Sequence, residues 1–201
     1  MHAKQALTAD ERRAQIVETA TGLFARLGFA GTTSAALARA CGVSEALIYK
    51  LFGTKEGLYR AMVEHTLQTW HPLSIDPEAE TDEDVLTALA RQIFARVEED
   101  SDFVRLLYYS ELQESAFARQ FQEARGQRAM GTLGDWLAER QAAGAVRQDV
   151  DPYLVASTFL CNAWHYAVGT KVFNRKAIYP CATDDDVIRT MVAVFVRGLQ
   201  P

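Results

Sequence analysis

The 201-residue chain has no uninterrupted apolar run near the roughly 20 residues that a membrane-spanning helix needs, so no membrane segment is expected. Its start, Met1-His2-Ala3-Lys4-Gln5, lacks an apolar stretch, and no secretory leader is expected either. Cysteine is scarce: Cys41, Cys161 and Cys181 are odd in number and far apart. That argues against a disulfide framework and fits a reducing cytoplasm. Strand-type alternation of β-branched and polar residues is nearly absent. So are a glycine-rich phosphate loop, a G-x-S-x-G elbow, an H-E-x-x-H pair and a C-x-x-C pair. His65 and His71 stand six apart, which is no usual metal spacing. Neither a metal, a cofactor nor a catalytic function is therefore expected.

Proline is equally sparse. Pro72, Pro77, Pro152 and Pro180 are internal and Pro201 ends the chain. A proline inside a helix costs about 3 kcal/mol, so the long stretches between them are free to be helical. Apolar residues recur there at helical spacing, and the chain reads as all-α. Charge is unevenly placed. Residues 1–65 hold eight basic and six acidic side chains, a balance of +2; the other 136 residues hold 13 basic and 20 acidic, a balance of −7. A mildly basic head on an acidic body fits a chain of which one part meets phosphate and the other does not.

The first helix is predicted from about Ala9 to Leu27. Thr8 and Glu11 have capping-box spacing, Ile16, Ala20, Leu23, Phe24 and Leu27 make one apolar face, and Gly28 is a natural stop. Shorter helices follow at about Ser34–Cys41 and Glu45–Leu51, and another opens after Thr54 and runs to about Trp70. The proline-bearing stretch 71–81 reads as a linker, which sets domains at 10–70 and 71–201. Helices are expected in the second domain at about 82–100, 103–114, 115–143, 151–173 and 183–199. Asp151-Pro152 supplies a cap and an N1 proline, and Thr183 precedes three aspartates in a first turn.

Two helices of about two turns each, joined at Gly42, are the helix-turn-helix design, whose second helix enters the major groove of DNA. Thr33 starts the first of them. Ser44 caps the second and aims its free N–H groups outward, with Glu45 and Ala46 in its first turn. Tyr49 and Lys50 lie one turn on and carry phosphate donors. Thr54 and Lys55 open the next helix and make a second phosphate clamp.

Residues 10–70 resemble the DNA-binding domain of the tetracycline-repressor (TetR) family of bacterial regulators. The resemblance is carried by Ile16-Val17-Glu18-Thr19-Ala20, Leu23-Phe24, Gly28-Phe29, Thr32-Thr33, Ala40-Cys41-Gly42-Val43-Ser44, Tyr49-Lys50-Leu51-Phe52 and Lys55-Glu56-Gly57-Leu58, in order and in spacing. It implies a three-helix DNA-binding head, a variable helical effector-binding body, and a homodimer built from the last two helices, here 151–173 and 183–199. The function implied is a repressor released from a near-palindromic operator by a small molecule. Departures from the family pattern bear on the operator: Glu45 stands where a basic residue is frequent, Leu47 where a hydroxyl is common, and Lys50-Leu51 where an aromatic–His pair recurs. Glu45 repels phosphate but accepts from a cytosine amino group.

The body carries no such motif. Segment 151–173 is apolar on more than one side and is expected to be buried on several faces. Asn162 and His165 share a face of it. With Phe94, Phe103, Tyr108, Phe117, Phe121 and Trp136 they are the candidate lining of a site for an apolar or aromatic effector, Gln113 lying nearby in sequence. Two further readings stand beside the regulator: a helical ligand-binding or adaptor protein that does not read DNA, and a cofactor-free helical enzyme working in the aromatic cavity.

Overall fold

The computed structural model describes residues 8–69, 72–112, 116–175 and 182–201. Among these, nine α-helices and no strand are present. The helices are α1 (Ala9–Gly31), α2 (Ser34–Cys41), α3 (Glu45–Phe52), α4 (Lys55–Thr69), α5 (Asp82–Glu99), α6 (Ser101–Leu112), α7 (Ala116–Ala142), α8 (Pro152–Ala167) and α9 (Asp184–Leu199). The all-α expectation holds, and most boundaries fall within a residue or two of those read from the sequence. The chain forms two compact units: residues 1–71 with 105–115, and residues 72–104 with 116–201.

In the first unit, α1 opens with a capping box. The Glu11 N–H donates to the Thr8 hydroxyl at 3.2 Å, and the Thr8 N–H donates to the Glu11 carboxylate at 2.8 Å. Those hydrogen bonds hold the Glu11 carboxyl below its ordinary range. Gly28 leaves the helical conformation at φ +69°, which glycine adopts without steric cost, and helical turns resume to Gly31. Ile16, Ala20, Phe24, Leu37, Ile48, Leu58 and Met62 are all buried, and α1 packs on α2 and α4, which in turn pack on α3.

In the second unit, α8 packs on α7 and α5, and α5 packs on α9. Val85, Leu86, Leu89, Leu133, Leu137, Ala156, Phe159, Ile188 and Val192 form its core. Gly134 lets α7 approach Tyr153 so closely that an added Cβ would lie 2.3 Å from the ring. The Tyr153 hydroxyl donates to Asp135 at 2.7 Å. Segment 151–173 departs from its expectation twice. The α-helix gives way at Val168 to a π-helical turn, Val168–Val172, and α8 is not covered all round within one chain, since Leu154, Thr158, Cys161, Asn162 and His165 are exposed. The π turn brings Lys171 within 3.0 Å of Glu98 on α5 and 2.6 Å of Asp184 on α9, tying three elements together.

Candidate nucleic-acid interface

Helices of eight residues do not persist alone in water, because nucleation consumes most of what propagation returns. The ends of α2 and α3 are therefore stopped one by one. The Thr33 hydroxyl accepts from the Ala36 N–H at 3.1 Å and caps α2. Gly42, at φ +64°, ends α2 and turns the chain. Ser44 then caps α3 by accepting from the Leu47 N–H at 3.2 Å. Gly53, at φ +76°, ends α3, its N–H donating to the Tyr49 carbonyl at 2.8 Å. Thr54 accepts from the Gly57 N–H at 3.1 Å and starts α4. Gly57 itself allows α4 to begin against the end of α3, for a Cβ there would stand 1.9 Å from the Phe52 carbonyl oxygen. Each hydroxyl cap contributes about 1 kcal/mol.

This stop-by-stop framing fixes which way α3 faces. Ile48 and Phe52 point into the core, while Glu45, Ala46, Tyr49 and Lys50 stand in solvent with Ser44. The Tyr49 hydroxyl lies 3.0 Å from the Ser34 hydroxyl, which fixes the half-exposed ring across α2. Five of the residues singled out in the sequence thus come together on one outer surface. Thr33 and Thr54 are exposed at the starts of α2 and α4, their hydroxyls engaged as caps.

Lys55 is placed differently from the expected phosphate clamp. It is half-buried, its ammonium donating to the Phe29 carbonyl at 2.9 Å and lying 4.2 Å from the centre of the Phe29 ring. Phe24, Phe29 and Tyr59 make a ring cluster with centroids 5.3–5.8 Å apart. The Tyr59 hydroxyl is hydrogen-bonded to the buried Ser110 hydroxyl. Burial pushes the Tyr59 phenol above its ordinary value, with the Ser110 bond acting the other way. Sequence reasoning missed Arg13, which donates to the Leu51 carbonyl at 2.6 Å across 38 residues. No local pattern signals a tie of that range.

The expected effector residues are less gathered. Phe94 and Phe103 are core residues, and Phe94 stacks on Tyr166 with centroids 5.8 Å apart. Trp136 is half-buried in the second unit, whereas Tyr108, also half-buried, belongs to the first. Asn162 and His165 are exposed on α8. The side chains of Phe117 and Phe121, and all of Gln113 and Cys181, lie outside the described residues. A contact absent from the sequence reading is Arg125, whose guanidinium sits 3.7 Å over the Trp164 ring. Burial pushes the Cys41 thiol up, away from the reactive thiolate. Between α8 and α9 runs an open apolar groove of about 460 Å³, lined by Val150, Leu154, Val155, Val194, Phe195 and Leu199 among others.

A short helix stopped at both ends and packed on a partner helix through a glycine turn is the helix-turn-helix geometry. Residues 16–62 match the family described as bacterial regulatory proteins, tetR family, and residues 83–187 match the tetracyclin repressor-like C-terminal domain. The chain belongs to the tetracycline-repressor (TetR) family and is a DNA-binding transcription regulator. It is 26% identical over 150 residues to the HTH-type transcriptional repressor NicS of Pseudomonas putida, covering 73% of this chain and 71% of NicS. The structure of AibR in complex with isovaleryl coenzyme A and operator DNA is similar, with a TM-score of 0.65, 25% identity, and coverage of 92% of this chain and 97% of that one. A TetR-like regulator from Rhodococcus sp. RHA1 shares the fold with a TM-score of 0.71 at 18% identity, covering 96% and 98%.

Proposed function

We propose that the protein is a homodimeric cytoplasmic repressor whose two α3 helices read successive major grooves of a near-palindromic operator. The outward row Glu45, Ala46, Tyr49 and Lys50 on a capped, immobilised helix carries this reading. Residues 10–70 are the reading domain, and 71–201 the effector and dimer domain. The dimer forms through the apolar groove of α8 and α9, where Leu154 and Val194 remain 69% and 65% exposed in a single chain. A second copy laid across it removes that surface from water. The similarity to the repressor NicS supports repression, and the complex of AibR with isovaleryl coenzyme A and operator DNA supports an operator and a small effector.

The effector is a small apolar or aromatic molecule held in the body. It acts by favouring a dimer shape in which the two heads no longer match the spacing of one helical turn of DNA, and the coupling equals its difference in affinity for the two shapes. The body has no catalytic role.

The test is selection of bound duplexes from a random pool. The expected product is a near-palindrome bound with steep salt dependence. Tyr49→Ala and Lys50→Ala are each expected to weaken binding to it roughly ten-fold or more, with dimer mass and thermal unfolding unchanged. Recovery of no preferred sequence, or full binding by both variants, would refute the proposal.

A further inference from the structure

Arg13 sits on α1, far in sequence from the reading helix, yet its Nη1 donates to the Leu51 carbonyl at 2.6 Å. Its guanidinium carbon lies 4.5 Å from the centre of the Phe52 ring. Leu51 is in the last turn of α3, where carbonyls lack helical partners and the helix dipole is negative. A planar cation that donates there, and stacks on the ring beside it, completes the C-terminal end of α3. The base from which it reaches is rigid, since Ile16 and Val17, one turn on in α1, are buried.

We infer that Arg13 is a positioning residue for DNA reading: it sets the roll of α3, and with it the sequence preference, without itself contacting DNA. The backbone of α3 packs on α2 and α4. Its N-terminus is pinned by Ser44 and its middle by the Tyr49–Ser34 contact. The Arg13 tie is the corresponding hold at the far end. Its leverage follows from helix dimensions. A roll of roughly 10° moves a side-chain tip ~6 Å from the axis by about 1 Å. Base-edge hydrogen bonds do not tolerate such a shift, whereas contacts to a flexible string of phosphates do. Loss of the tie should therefore erode discrimination between sequences more than adhesion to DNA in general.

The inference rests on α3 being the reading helix, and the experiment separates the two. The probes are the duplex that the wild-type protein selects from a random pool and a random-sequence duplex of equal length. Arg13→Met keeps the side-chain stem and removes charge and donors. Its affinity for the selected duplex is expected to fall about ten-fold, with less than a two-fold change for the random duplex and an unchanged slope of log affinity against log salt. Arg13→Lys keeps the charge and one donor group but not the planar stack. It is expected to fall about three-fold, and it decides the matter if the methionine variant melts below the assay temperature. Two results overturn the assignment. One is an equal fall on both duplexes with the slope reduced by about one, which makes Arg13 a phosphate contact. The other is a wild-type ratio of the two affinities. If the wild-type protein selects no sequence, the reading role of α3 fails, and this inference falls with it.

Discussion

The two units are both built from helices, but hold them by different means. In the first, α2 and α3 are eight residues each and are held chiefly at their ends, by Thr33, Gly42, Ser44, Gly53 and Thr54. In the second, α5, α7, α8 and α9 run 16 to 27 residues and are held along their flanks by apolar packing. A structure held by its ends needs specific residues at fixed spacing, because a hydroxyl or a glycine serves only where the chain starts or stops. A structure held along its flanks accepts many residues of suitable size. The first way preserves a shape that must match DNA; the second leaves an interior free to suit a ligand.

This contrast can be broken most severely at Gly57. In Gly57→Ala the new Cβ meets the Phe52 carbonyl, a backbone atom that cannot swing aside. A destabilisation on the order of 3 kcal/mol and a roughly 100-fold loss of selected-duplex binding are expected, read by thermal unfolding and titration. Gly134→Ala makes the matching insult in the body. There the obstacle is the Tyr153 side chain, which can move only by giving up its bond to Asp135. A loss of about 1–3 kcal/mol is expected, with DNA affinity per folded dimer unchanged. Equal damage to DNA binding from both variants would erase the distinction.

The smallest effect asks whether the body also relies on an end-stop. Asp186 closes the capping box of α9. The Thr183 hydroxyl foremost, then its N–H and Arg189, lower its pKa below the ordinary carboxylate value. A depressed carboxylate contributes stability that is complete above its unfolded pKa, about 3.9, and that fades as pH falls toward the folded value. Asp186→Asn is therefore expected to melt slightly below the wild type at neutral pH and together with it in strong acid, as circular dichroism melts across that range would show.

The same contrast explains what could be read from the sequence alone. Helix boundaries were legible because Thr8, Ser44, Asp151 and Thr183, read as caps, do cap helices in the structure. The outward face of α3 was legible because a two-turn helix with a known cap has its orientation fixed by a few residues. Interactions between distant segments were not. Arg13 reaching Leu51, Lys55 turning to Phe29, and Lys171 meeting Glu98 and Asp184 depend on how helices cross, which periodicity does not encode. The π turn was hidden for a related reason: apolar spacing looks the same whether a helix tightens or widens by one residue. Asn162 and His165 share a helical face, as their spacing required, but spacing does not say whether that face meets a neighbour or solvent.

Two of the cations in the N-terminal unit, Arg13 and Lys55, are already committed to carbonyl oxygens of their own chain. Each keeps its charge but places a donor inside its own unit, so two of the eight basic side chains of residues 1–65 hold the shape of the head.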